Sequence, residues 1–177
     1  MKKLILGSAI VAVLAAASNA MAAPNSGTVN FTGGVSSATC DIDIKDAAGS
    51  IITKVDLGTI ATNATAGNKY SFKLIPKDQA CLEKNSATIS WSSPTLNAAG
   101  IGNSVTNGTN AIMTLTASNA ADNDKSVKDG NTTFNYTVSK GGIASFDYDA
   151  QLAKPDAKTA FTAGTFSATA SYSIAYK

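Results

Sequence analysis

The last segment of the chain is its longest and most regular alternation of apolar and polar residues. Every second position is apolar or aromatic, and these positions are Phe166, Ala168, Ala170, Tyr172, Ile174 and Tyr176. The intervening positions carry Ser167, Thr169, Ser171 and Ser173. Since successive side chains of a strand point to opposite faces of a sheet, the pattern predicts a long strand with one buried face. The sequence ends one residue after Tyr176, so we expect no following segment to pair with it.

Shorter alternations of the same kind recur along the chain. They are centred on Phe72, Ile89, Leu115, Tyr136 and Tyr148 and are rich in aromatic and β-branched residues. Such segments are typical of half-buried strands, and clusters of Gly, Asn, Asp and Lys between them predict turns. No stretch shows a convincing helical stripe. Many short strands in one domain predict an all-β fold, a sandwich of the immunoglobulin type.

The N-terminal residues have the features of a secretory signal peptide. Lys2 and Lys3 precede an apolar run over residues 4–17, and small residues follow. We expect cleavage after Ala22, with cleavage after Ala20 as the alternative. A membrane anchor is the competing interpretation, but the run is shorter than the roughly 20 residues that span a bilayer.

The charge balance argues against several classes of function. Removing Lys2 and Lys3 lowers the formal net charge from +2 to 0, and the chain contains no histidine and no arginine. Nucleic-acid binding needs a clustered excess of positive charge, so we expect no nucleic-acid partner. Histidine is the commonest general base and metal ligand. We find no catalytic constellation and expect neither an enzyme nor a cofactor.

Two cysteines, Cys40 and Cys81, remain in the exported chain. An even cysteine count in an exported protein favours a disulfide, which here would close a loop of about 40 residues and stabilise the fold by about 4 kcal/mol. A free thiol pair and a metal site are the competing interpretations, and the second is disfavoured by the wide spacing and the lack of histidine.

Several features together resemble the major pilin subunits of chaperone–usher fimbriae. A signal peptide is followed by a short extension containing Gly-Thr-Val-Asn-Phe-Thr-Gly. Cys40 lies in Ser-Ala-Thr-Cys-Asp-Ile, which we place in the first strand of the domain, and Cys81 lies in a second strand region. Gly164 is the fourteenth residue from the end and Tyr176 is penultimate, which is a signature of the family. The resemblance extends more loosely to fimbriae of enterotoxigenic strains.

The resemblance implies a sandwich that lacks its last strand and is completed by donor-strand complementation. It implies a signal peptide over residues 1–22, a donor-strand extension over residues 23–33 and a pilin domain over residues 34–177. Gly27, Val29 and Phe31 would enter a neighbour's groove. The groove strand, which also binds a periplasmic chaperone, would contain Gly164, Phe166, Ala168, Ala170, Tyr172, Ile174 and Tyr176. The implied partners are other copies of the chain, the chaperone and an outer-membrane usher, on a route through the periplasm to a cell-surface fimbrium that adheres to host cells.

Three alternatives to a simple shaft subunit remain. The Gly27 segment could be the first, edge strand of its own domain, which would make the chain a self-contained secreted adhesin. A tip adhesin is disfavoured by the short chain and by the extension. A shaft subunit could itself bind a host glycan, and the lysines available to an acidic sugar are Lys125, Lys128, Lys140, Lys154 and Lys158. Charged loop residues are more often simply solvated.

Overall fold

The computed structural model describes residues 27–33 and 40–177, so the predicted signal peptide, residues 1–22, lies outside the described residues. One short helix, α1, spans Gln79–Leu82 within the described part of the chain. No helix in that part is long and apolar enough to cross a bilayer. The strands are β1 (Gly27–Gly33), β2 (Ile42–Asp46), β3 (Lys54–Asp56), β4 (Ala66–Pro76), β5 (Ser86–Ser92), β6 (Leu96–Asn97), β7 (Gly100–Gly102), β8 (Ile112–Ala117), β9 (Thr133–Thr137), β10 (Phe146–Ala153) and β11 (Phe166–Tyr176).

The strands form two sheets, as an immunoglobulin-like sandwich requires, and the predicted fold class is confirmed. The five-stranded sheet has the order β3-β1-β11-β5-β9, and the six-stranded sheet has the order β2-β4-β10-β8-β7-β6. Strand β1 runs parallel to β11, whereas the other described strand pairs are antiparallel. Because β1 lies between β3 and β11, it is an interior strand and not an edge strand.

Aromatic side chains join the two sheets in the core. Trp91 on β5 is 3% exposed, so it packs in the core as the sequence pattern favours. Its ring meets that of Tyr148 on β10 edge to face, with centroids 5.0 Å apart. The Tyr136 hydroxyl donates a hydrogen bond of 2.7 Å to the Tyr148 hydroxyl. Burial raises the pKa of both tyrosines, so both hydroxyls stay protonated at neutral pH.

Two sequence-based expectations about local structure are wrong. Cys81 was expected in a strand and lies in α1, where the backbone N–H groups of Cys81 and Leu82 donate to the Asp78 carbonyl. A helix of four residues is too short to show a helical stripe. Cys40 lies two residues before the start of β2 at Ile42 and is not part of the strand. The strands β3, β6 and β7 have two or three residues each, too few for alternation to reveal them.

Candidate strand-binding groove

A groove between β3 and β11 is occupied by β1 of the same chain. Seven consecutive residues of β1 are in register with β11, from Gly27 opposite Phe166 to Gly33 opposite Tyr172. On its other side, β1 pairs with all three residues of β3. The backbone of the predicted donor segment is therefore paired along both edges. We refer to the space between β3 and β11 as the groove.

Residue sizes alternate across the β1–β11 pair. Gly27 is opposite Phe166 and Gly33 is opposite Tyr172, so glycine stands beside the large residues of β11. The next register positions reverse this relation, with Val29 opposite Ala168 and Phe31 opposite Ala170. Neighbouring side chains in paired strands compete for the same space. In the register of the two strands, the small residues at the centre of β11 thus stand opposite the larger residues of β1.

The inner side of β11 forms part of the sandwich core. Phe166, Tyr172 and Ile174 are between 3% and 6% exposed, and the two alanines at the centre are at most 1% exposed. The residues between them, from Ser167 to Ala175, are intermediate or exposed. The predicted alternation is thus present over the strand, and its apolar face lies against the core.

Gly164 lies two residues before β11 and determines the backbone path into that strand. It has a φ of +150°, a backbone conformation that L side chains rarely adopt. A Cβ atom built at this position would lie 2.6 Å from the backbone nitrogen of Thr109 and 2.7 Å from the carbonyl carbon of Gly108. The Thr109 N–H in turn donates to the Thr165 carbonyl at 3.1 Å. Only glycine allows this loop to approach the start of the groove strand so closely.

The end of β11 extends beyond β1. The register with β1 stops at Tyr172, and from Ser173 to Tyr176 the strand pairs only with β5 among the described strands. The Tyr176 hydroxyl is buried, and no described residue offers it a hydrogen bond. Burial, with smaller effects from Tyr172 and the Asp78 carboxylate, raises the pKa of Tyr176 to about 12. This hydroxyl stays neutral at physiological pH.

The Cys40–Cys81 disulfide joins the chain that follows β1 to α1, with the two Cα atoms 6.3 Å apart. The bond agrees with the pairing expected from two cysteines in an exported chain. The Asp78 carboxylate lies beside the two sulfurs and accepts a hydrogen bond of 2.9 Å from the Asp41 N–H. Because the sulfurs are bonded to each other, the group offers no thiolate to a metal ion. The disulfide anchors the segment from which the extension departs.

The five lysines considered for glycan binding do not form one site. Lys125 and Lys128 lie between β8 and β9, in a segment that runs back along β8, where the Val127 N–H donates to the Leu115 carbonyl, and Lys140 lies between β9 and β10. Lys154 and Lys158 lie between β10 and β11. The five lysines therefore come from three separate connections between strands.

Three of these lysines already have partners within the chain. The Lys125 ammonium donates to the Ser118 carbonyl at 3.0 Å, and the Lys128 ammonium lies 2.8 Å from the Asp124 carboxylate. The Lys154 ammonium lies 5.9 Å from the centre of the Phe161 ring. The other two, Lys140 and Lys158, are exposed. The structure therefore provides no arrangement of these lysines that converges on one ligand.

The sequence pattern did not predict β3, the strand on one side of the groove. Strand β3 has Val55 4% exposed in the core, with the exposed Lys54 and Asp56 on either side of it. Only the central residue of this three-residue strand is apolar, so periodicity could not identify it. The signal available in the sequence was a single β-branched residue between two charged ones, which is too common to be specific.

Known proteins similar to this chain are fimbrial. The chain is 36% identical over 186 residues to the K99 fimbrial protein of Escherichia coli, and the alignment covers 99% of each chain. It is 31% identical over 196 residues to the Type-1 fimbrial protein subunit of Serratia marcescens, with 100% of each chain covered. No protein-family model matches the sequence. Both similarities include the segments that form β1, the groove and the disulfide.

Proposed function

Because the chain belongs to the family of fimbrial subunit proteins, we propose that its copies are joined into a fimbria by donor-strand exchange. The chain is a structural subunit of a cell-surface fimbria and polymerises with other subunits. In this proposal residues 23–33 are the donor extension and residues 34–177 are the pilin domain. The extension of one copy replaces β1 in the groove of the next copy.

The observation that carries the proposal is the occupied groove. A strand from residues 27–33 pairs with β3 and β11 along both of its edges. The same segment supplied by another copy would form equivalent contacts, so exchange of an identical element costs little free energy. Repeated from copy to copy, a head-to-tail exchange generates a filament. The groove strand and the extension are therefore sufficient to link subunits in series.

The extension fits the groove in either direction. Its alternate residues are small, large, large and small in the order Gly27, Val29, Phe31 and Gly33. Reversing the strand about Asn30 and Thr169 again places glycine opposite Phe166 and Tyr172, and large residues opposite the two alanines. Within one copy the strand runs parallel to β11. Reversal would make the seven pairs with β11 antiparallel and the three pairs with β3 parallel. Because antiparallel pairs are slightly more stable than parallel ones, the exchanged strand would gain more with β11 than it loses with β3.

Export precedes assembly in this proposal. The signal peptide directs the chain to the periplasm, where a chaperone strand occupies the groove until an outer-membrane usher brings two subunits together. An unoccupied groove would expose an apolar floor and unpaired backbone groups, which promote aggregation. Insertion of the extension then buries Val29 and Phe31, and each contributes about 1.5–3 kcal/mol.

A pair of engineered cysteines tests the exchange directly. Asn30 and Thr169 are opposite each other in β1 and β11, and they remain opposite if the strand is reversed. In the double variant Asn30→Cys/Thr169→Cys, isolated monomers should form this disulfide within one chain. Assembled fimbriae should instead give a ladder of covalently linked chains on a non-reducing gel, because each extension lies in a neighbour's groove.

The matched control moves one cysteine out of register. In Asn30→Cys/Ser173→Cys the second residue is four positions further along β11, so neither monomers nor fimbriae should form the new disulfide. Fimbriae of the Asn30→Cys/Thr169→Cys variant that contain only chains linked internally would show that β1 stays in its own domain. The chain would then be a self-contained sandwich, and the proposal would be wrong.

A further inference from the structure

The two strands that neighbour β11 are staggered along it. Strand β1 is in register with β11 from Phe166 to Tyr172, whereas the register with β5 begins only at Ser171. Over residues 166–170, which we call the upstream half of the groove strand, β1 is therefore the only strand partner among the described strands. Unpaired backbone groups are costly wherever water is excluded. The edge of the upstream half that faces away from β1 thus needs hydrogen-bond partners other than a strand.

A single asparagine side chain binds much of this edge. Asn103 follows directly after β7, and its Nδ2 group donates to the carbonyls of Thr165, at 2.8 Å, and Thr109, at 2.9 Å. Its Oδ1 atom accepts hydrogen bonds of 3.0 Å from the N–H groups of Ser167 and Val105. Because two carbonyls face one atom and two N–H groups face the other, only this orientation of the amide satisfies all four partners.

Two serines complete the contact with the same edge. The Ser104 N–H and hydroxyl both donate to the Ser167 carbonyl, at 2.8 Å and 2.7 Å. The Ser93 hydroxyl donates to the Thr169 carbonyl at 2.7 Å. Alternate residues of a strand present their backbone groups to the same edge, so Ser167 and Thr169 are bound from one side. We call Ser93, Asn103 and Ser104 the polar tether.

The polar tether does not depend on the strand that fills the groove. Asn103 and Ser104 continue from β7, which pairs with β8 in the six-stranded sheet. Ser93 follows directly after β5, the other neighbour of β11. The hydrogen bonds of the tether to β11 therefore come from the ends of β5 and β7, and none of them involves β1. They stay available when β1 leaves the groove.

We propose that Asn103 is a positioning residue for strand exchange, which keeps the upstream half of β11 extended while no donor strand occupies the groove. The proposal rests on the strand exchange proposed above. Once β1 leaves, the upstream half has no strand partner among the described strands on either edge. A backbone segment freed in this way regains conformational entropy, which an incoming strand would have to remove. The tether lowers that cost by holding the binding partner in its bound conformation.

A simpler interpretation is that Asn103 only shapes the connection after β7. The bond from the Val105 N–H belongs to that connection and would serve such a role. Two other bonds leave the connection and reach Thr165 and Ser167, on either side of Phe166. Phe166 is the position at which the register with β1 begins. The side chain therefore holds β11 at the point where the paired region of the groove starts.

Asn110 offers a matched control, because it bridges two segments in the same manner outside the groove strand. Its Nδ2 group donates to the Ala160 carbonyl at 2.9 Å, and its Oδ1 atom accepts a hydrogen bond of 2.9 Å from the Thr162 N–H. Both partners precede β11, where β1 has no register. Asn103 and Asn110 are both partly exposed. Asn103→Ala and Asn110→Ala thus remove comparable amides, but only the first one binds the groove strand.

The test places the two cysteines of the exchange assay on different chains. Cells that assemble fimbriae produce a limiting amount of a donating chain, Asn30→Cys, with two competing accepting chains, Thr169→Cys and Thr169→Cys/Asn103→Ala. Mass spectrometry of the disulfide-linked pairs, normalised to the amount of each accepting chain in the periplasm, gives their relative acceptance. We expect Asn103→Ala to be accepted roughly tenfold less often, because the net loss of about one hydrogen bond is of the size that a tenfold change represents.

Two placements separate positioning from general stability. Asn110→Ala in the accepting chain, and Asn103→Ala moved to the donating chain, should each change the normalised ratio less than about twofold, since neither alters the groove that receives the strand. An equal loss for Asn103→Ala and Asn110→Ala in the accepting chain would overturn the proposal. So would a ratio near one for Asn103→Ala. If chains without either alanine give no linked pairs, strand exchange itself is wrong, and the positioning role falls with it.

A milder variant covers the case in which Asn103→Ala does not fold. Ser104 is exposed, and Ser104→Ala removes the hydroxyl bond to the Ser167 carbonyl but keeps the backbone bond to the same oxygen. Its acceptance in the same competition should fall roughly twofold to threefold, in line with the partial loss of one hydrogen bond. A Ser104→Ala chain that is accepted as often as its parent would overturn the proposal.

Discussion

The two sheets of this sandwich differ in how their strands are paired. The five-stranded sheet contains β1, which reaches the groove from the N-terminal side of the disulfide and is the parallel neighbour of β11. The six-stranded sheet has antiparallel pairing throughout its described strands, centred on the long strands β4 and β10. In the proposed exchange, the five-stranded sheet is the one that accepts an added strand.

The outer faces of the two sheets also differ in their charged side chains. On the six-stranded sheet, Lys73 lies 3.3 Å from the Asp147 carboxylate and Lys69 lies 3.5 Å from the Asp149 carboxylate. On the five-stranded sheet, the described outward-facing residues of β5, β9 and β11 are Ser, Thr, Asn and Ala, so these strands have no such pairs. Cross-strand pairs of opposite charge favour one register of a sheet.

Removing the disulfide should affect the six-stranded sheet most and have the largest effect of the changes considered, because Cys40 and Cys81 flank the paired strands β2 and β4. The double variant Cys40→Ala/Cys81→Ala should lower the free energy of unfolding by about 4 kcal/mol, because the unfolded chain regains the entropy of an open loop. Denaturant titration measures this loss. Hydrogen exchange should show that protection falls further in β2 and β4 than in β9 and β11, since the disulfide lies beside the paired ends of β2 and β4 at Ile42 and Pro76. An equal fall in both sheets would contradict the comparison.

Gly164→Ala should have the next largest effect, a loss of about 3 kcal/mol in the free energy of unfolding. The new Cβ would meet the backbone of the loop at Thr109, and alanine is strained at a φ of +150°. Gly130→Ala is the control. Gly130 also has a positive φ, +77°, but a Cβ there meets no atom within 4 Å, so the expected loss is only about 1–2 kcal/mol. Equal losses, measured by thermal or urea unfolding, would show that the close approach at Gly164 has no special cost.

Asp149→Asn should have a smaller effect that depends on pH. Burial tends to raise the pKa of Asp149, but hydrogen bonds from Ser71 and Ser118 and the nearby Lys69 ammonium outweigh it, so the pKa is lowered. The charged form therefore stabilises the folded state above the unfolded pKa of about 3.9, and this contribution is lost as pH falls through the lower folded value. We expect Asp149→Asn to cost about 1 kcal/mol at pH 7.

The difference between Asp149→Asn and wild type should disappear well below pH 3.9, where wild-type Asp149 is also protonated. Urea titrations at several pH values measure it. Ser173→Ala on β11 is the comparison, because Ser173 lies on the outer face of the five-stranded sheet, two strands away from Asn135 and the Asp122 carboxylate that binds it. Its effect on stability should be the same at every pH. A difference for Asp149→Asn that persists unchanged in acid would show that packing, and not charge, accounts for the loss.

The strands themselves were predictable. The alternations at Phe72, Ile89, Leu115, Tyr136 and Tyr148 correspond to β4, β5, β8, β9 and β10, and the last alternation corresponds to β11. Period-two patterning is a local property, so these segments and their buried faces follow from neighbouring residues alone. The short strands β3, β6 and β7 and the helix α1 were missed because a segment of two to four residues is too short to show a repeating pattern of apolar residues.

The amino-acid sequence by itself determined which segments are strands, which of their faces are buried, and that two exported cysteines could pair. Only the tertiary structure decided that β1 lies between β3 and β11 and that its residue sizes alternate with those of β11. It also decided that the five candidate lysines do not converge on one ligand. The physical reason is that alternation depends on adjacent residues, whereas strand neighbours and register depend on contacts between segments far apart in the chain. The alternate Ser, Thr and Asn residues of β5, β9 and β11 are present in the sequence, but only the pairing of these strands brings them onto one surface.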